Sequence, residues 1–129
     1  MKEYFPKKYL SVKLLDEILS RLFSGVDYEI EEDLPDGIEV FFMKNSIYFS
    51  EYAEGEILAD LYVKEGDIER KMSLADAISI AGYKIVLSEE YPIKKHIPFA
   101  SKEKVSNQIE NILYIIYKYI NYFLEGELN

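Results

Sequence analysis

Val26-Asp27-Tyr28-Glu29-Ile30-Glu31 alternates residue by residue between an apolar side and an acidic one. Side chains on an extended strand point to opposite faces with a period of two. The pattern therefore predicts a half-buried β-strand with Val26, Tyr28 and Ile30 on one face and Asp27, Glu29 and Glu31 on the other. Leu34-Pro35-Asp36-Gly37 follows as a turn, in which Pro presets one dihedral angle and Gly supplies a positive φ. Ile38–Lys44 and Ile47–Tyr52 are the next strand candidates, joined around Asn45-Ser46. Both carry apolar residues on both sides (Phe41 and Met43 against Val40 and Phe42; Tyr48 and Tyr52 against Ile47 and Phe49), which predicts interior strands covered to some extent on both sides. After Glu54-Gly55 comes a fourth strand, Ile57–Lys64, ended by Glu65-Gly66-Asp67. Connections this short favour an antiparallel meander.

Helical periodicity brackets the strands. Leu15, Ile18, Leu19 and Leu22 recur at helical spacing between Ser11, a suitable N-cap, and Ser24-Gly25, where a left-handed residue closes a helix. Ser73-Leu74-Ala75-Asp76 reads as a weak capping box that opens a short helix closing at Gly82. Tyr83–Ser88, around Ile85-Val86-Leu87, is a candidate fifth strand, and Pro92 and Pro98 bracket an extended or irregular segment. A long helix is predicted over Lys102–Glu125, with Ser101 as N-cap. Val105, Ile109, Ile112, Leu113, Ile116, Ile120 and Phe123 form its main stripe, widened by Tyr114, Ile115, Tyr119 and Tyr122. A helix apolar nearly all round is either central to a core or covered by another chain. The core is the favoured reading, and a homodimer through this helix is the other. The expected fold is α+β, a single domain over residues 1–129 with its helices packed on the sheet.

Composition narrows the chemistry. The 129 residues are 49% hydrophobic and 30% charged, an ordinary globular balance, and contain no Cys. That excludes disulfides, thiolate metal ligands and a thiol nucleophile, and suits a cytoplasmic protein. Met1–Lys8 has no apolar core of a signal peptide, and the most apolar stretch, Ile112–Leu124, is too short to span a bilayer and contains Lys118 and Asn121. No membrane association is expected. His96 is the only histidine and reads as an ordinary loop residue, leaving too few ligands for zinc. Glu31–Gly37 is densely acidic but lacks the EF-hand spacing. No phosphate loop, nucleotide fingerprint or nucleophile elbow is present. No catalytic residue, metal or cofactor is assigned, and the chain is not expected to be an enzyme.

Charge is the informative feature. The formal net charge is −9, and Leu22–Val63 holds eleven acids against one base, Lys44. The rest of the chain is close to neutral. Nucleic acid is thereby disfavoured as a direct partner, because its phosphates call for Lys and Arg clusters. A basic protein is favoured, since opposite charge steers encounter and tyrosines supply desolvated anchors. The predicted partner-binding residues are Asp27, Tyr28, Glu29, Glu31, Asp33, Asp36, Glu39, Tyr48, Glu51, Tyr52 and Glu54. An immunity- or antitoxin-type protein that occludes the active site of a basic toxin, such as a nuclease, is the leading expectation. The alternative is a secretion-type chaperone or adaptor holding an extended client as a dimer, because the element order is similar to that of small acidic chaperones of that kind. An enzyme working through paired carboxylates ranks third.

Overall fold

Among the described residues, Gly66-Asp67 makes the tightest connection between strands. Glu65 and Ile68 pair directly across it, and Gly66 takes φ +64°, the conformation a two-residue hairpin needs at its first central position. A computed structural model describes residues 9–33, 37–52, 55–82 and 101–125. Its sheet contains β1 (Glu29–Asp33), β2 (Gly37–Phe41), β3 (Ser46–Glu51), β4 (Ile57–Glu65) and β5 (Ile68–Ser73). The five are antiparallel and lie in chain order, a meander. The helices are α1 (Val12–Leu22), α2 (Leu74–Ile80), α3 (Lys102–Tyr119) and α4 (Tyr122–Glu125). The architecture is α+β, as expected.

Each predicted N-cap is in place. The hydroxyls of Ser11, Ser73 and Ser101 accept hydrogen bonds from the backbone N–H groups of Leu14, Asp76 and Lys104, satisfying donors that the first turn leaves free. The long C-terminal helix is interrupted, however. Ile120 leaves helical geometry (φ −134°, ψ 47°) next to Asn121, a residue type that competes with the helical backbone. The chain resumes as α4, which places Phe123 edge-on to Phe42, 6.2 Å between ring centres. The strand ends also differ from expectation. β1 begins at Glu29 rather than Val26, and β2 stops at Phe41 rather than Lys44. β5 was not anticipated, and Tyr83–Ser88, the expected fifth strand, lies outside the described residues.

The core forms on one face of the sheet. Ile38, Val40, Ile47, Phe49 and Leu61 are fully buried there against Leu15, Ile18 and Leu19 of α1, Ile78 of α2 and Val105, Ile109, Leu113 and Ile116 of α3. α3 touches α1, α2 and β4, so its wide apolar surface is used mostly within the domain. The two faces of β2 and β3 are covered unequally. Glu39, Phe41 and Tyr48 on the outer face remain partly exposed, whereas Ile38, Val40, Ile47 and Phe49 on the inner one are fully buried. Aromatic residues fit a half-solvated pleated surface as well as a buried one.

Gly37 is needed for space rather than for a positive φ. A Cβ at this position would sit 2.3 Å from the Phe49 carbonyl oxygen and 2.8 Å from the Tyr48 ring. Only glycine allows β3 to lie this close to the start of β2.

Polar groups tie the layers together. Gln108 on α3 accepts from the Ile57 N–H at 3.0 Å and donates to the Gly55 carbonyl at 2.6 Å, while the buried Lys104 pairs with Glu56 at 2.9 Å. The turn between β3 and β4 is thus fastened to the first turns of α3.

Candidate protein-binding surface

The register collects part of the predicted site on the solvated face of the sheet. Glu31 lies opposite Glu39, Glu39 opposite Tyr48, and Tyr48 opposite Asp60, so the four form one row. Directly opposed residues share a face. Glu29, Phe41, Ser46 and Tyr62 form the adjacent row. Glu29, Glu31, Glu39 and Tyr48 therefore belong together, joined by Phe41, which the sequence reading did not place in the site. Asp33 closes β1 opposite Gly37.

Electrostatically this surface is one-sided. Among the described residues no Lys or Arg comes within ion-pair distance of Asp27, Glu29, Glu31 or Glu39. Glu39 is held by the Ser46 hydroxyl, which donates to its carboxylate at 2.5 Å. Facing Glu31 with Glu39 costs a few tenths of a kcal/mol through like-charge repulsion. Charge is more balanced toward the opposite edge, where Asp60 meets Lys71 at 3.6 Å and β5 carries Arg70.

Other predicted residues go elsewhere. Glu51 continues the inward parity of Ile47 and Phe49 and is buried, with 6% of its surface exposed. Its carboxylate accepts hydrogen bonds from the backbone N–H groups of Tyr9 and Leu10, at 2.8 and 2.7 Å. It pins the segment leading into α1 and does not face a partner. Tyr52 is exposed but stands beyond the end of β3, at the opposite end of the sheet from Phe41. Asp36, Glu54 and His96 lie outside the described residues.

Where the chain enters β1 and leaves β2, an open groove of about 660 Å³ is lined by Asp27, Tyr28, Glu29, Phe41, Phe42 and Met43. Met43 is 74% exposed there, beside exposed carboxylates. Sequence reasoning found Asp27, Tyr28 and Glu29 but missed Phe41, Phe42 and Met43, whose apolar character reads as strand packing rather than as a site.

Tyr28 is fixed at the groove by its hydroxyl, which donates to Asp16 Oδ1 at 2.6 Å. That bond, together with desolvation and the negative charge of Asp16, raises the phenol above the ordinary tyrosine range, against a smaller opposing effect of Ser20. A raised folded-state value favours the protonated phenol in the native protein. The resulting stability is complete below the unfolded value of about 10 and disappears as pH climbs through the folded one. Urea midpoints measured between pH 8 and 11.5 should therefore fall more steeply for the wild type than for Tyr28→Phe. Parallel curves would contradict this coupling.

Among the described residues no cluster of three or more His, Asp or Glu is placed to hold a metal, and no helix is long and apolar enough to cross a membrane. The chain matches no protein-family model, no curated protein and no solved structure.

Proposed function

We propose that this chain is a binding protein whose acidic sheet face docks a basic protein, in the manner of an immunity or antitoxin protein covering the positive active-site surface of a toxin. One observation carries the reading: Glu29, Glu31 and Glu39 share a face with Phe41 and Tyr48, and no described Lys or Arg neutralises them. A fold that keeps Glu31 against Glu39 gives up stability that a Thr or Lys at either site would recover. A cationic partner supplies the missing compensation. Unpaired carboxylates accelerate encounter over distances of about a Debye length, and the aromatic side chains beside them provide surface to desolvate on docking. A toxin that handles phosphates presents the complementary charge, because its own site is positive.

The test is capture from the native host with immobilised wild type and with the variant Glu29→Lys/Glu31→Lys/Glu39→Lys, followed by kinetics on the captured protein. A basic partner should be retained by the wild type and lost by the variant. Its association rate should drop about tenfold or more as salt is raised. Equal capture by both proteins, or association indifferent to salt, would refute the proposal.

A further inference from the structure

We infer that the groove between the start of β1 and the end of β2 receives an arginine side chain of the protein partner. This deepens the docking reading and rests on it. The groove combines two features that seldom suit the same occupant. Asp27 and Glu29, two residues apart, are both exposed in its lining, and neither has a described cationic neighbour. Tyr28, Phe41, Phe42 and Met43 supply the remaining lining.

An apolar occupant would cover two carboxylates without compensating them, and an acidic one would add repulsion. Lysine would satisfy the charge, but its compact, strongly hydrated ammonium gains little from aromatic walls. A guanidinium meets both requirements. Its planar fork offers five donors to carboxylates, while its faces stack on rings and its weaker hydration lowers the cost of leaving water. Met43 contributes a flexible, polarisable side chain that adapts to whatever backbone carries the arginine. The hydrogen bond from Tyr28 to Asp16 keeps one wall in position before anything binds.

The proposal is tested with the ¹⁵N-labelled chain and two capped nonapeptides that differ only in carrying three arginines or three lysines. The arginine peptide should perturb the amides of Asp27 to Glu29 and of Phe41 to Met43, and should bind at least about threefold more tightly than the lysine peptide. Phe41→Ala and Met43→Ala should each reduce that preference. Met43 is mostly exposed, so its variant keeps the fold and isolates the contact. Equal binding of the two peptides, with perturbations spread over Glu31 and Glu39, overturns the groove as an arginine site while leaving the acidic face intact. Failure of both peptides to bind also overturns it, and the face is then judged by the charge-reversal capture alone.

Discussion

Glu51→Ala is expected to lower the free energy of unfolding by about 3 kcal/mol, and the melting temperature by roughly 10 °C for a domain of this size. The carboxylate is buried and accepts two backbone N–H groups, those of Tyr9 and Leu10. Alanine removes the acceptor and leaves both donors in a site with little access to water. Orphaned donors cost more than the average hydrogen bond contributes, because their desolvation is no longer offset. Glu51→Gln retains a side-chain oxygen and should lose roughly half as much, while Glu31→Ala, which relieves a like-charge contact, should cost nothing or stabilise slightly. Chemical denaturation of the three variants provides the check. An effect of Glu51→Ala no larger than that of Glu31→Ala would show that the carboxylate does not anchor the entry to α1.

The second large effect is expected at Asn45, which is 95% removed from solvent between β2 and β3. Its Nδ2 donates to the Phe123 carbonyl at 3.0 Å, and its Oδ1 accepts from the Lys64 N–H at 3.2 Å. The pairing of β3 with β4 stops at Ser46 opposite Tyr62, so the side-chain amide takes over a donor that the strand does not reach. Asn45→Ala should cost about 2–3 kcal/mol, since it leaves a carbonyl and an N–H unpaired at once. Asn45→Asp should be worse near neutral pH. A carboxylate cannot donate to the Phe123 carbonyl, and an unpaired charge is expensive to bury. Protonation restores a donor, so the Asp variant should regain stability relative to Ala as pH falls through the carboxyl range. Urea titrations at pH 7 and pH 4 separate these outcomes; an Asp variant that gains nothing in acid would discount the Phe123 contact.

Both residues show where sequence reading reached its limit. The period-two count from Ile47 through Phe49 to Glu51 already points Glu51 inward. Tyr48 and Tyr52 on the alternate positions obscured that count, and acidity alone then assigned Glu51 to the binding surface. Asn45 looked like an ordinary turn residue because one of its partners is 78 positions away and is a backbone group, which leaves no trace in composition. β5 escaped for a different reason. Glu69, Arg70 and Lys71 are exposed on an edge strand, so no apolar alternation remains, and only the Gly66-Asp67 turn announces it. What could be read was whatever local chemistry determines: three serine caps, the apolar stripe of α3, and the alternation of Val26 to Glu31, which persists even where β1 has not begun. The acidic face was legible as composition, but its separation from Glu51 and its junction with Phe41 and Met43 depend on register.

The placement of the covering helix has a consequence for biosynthesis. All five strands precede α3 in the chain, yet α3 supplies much of the apolar surface that closes over Ile47, Phe49 and Leu61. Because each strand pairs with its neighbour in sequence, the meander has only short loops to close and is ready to assemble early as the polypeptide emerges from the ribosome. A nascent sheet whose greasy side has only α1 upon it would then wait several seconds for the rest of its lid at ordinary elongation rates. During that interval the carboxylates on its other side, and the charged strand at its far edge, discourage neighbouring nascent chains from stacking onto it.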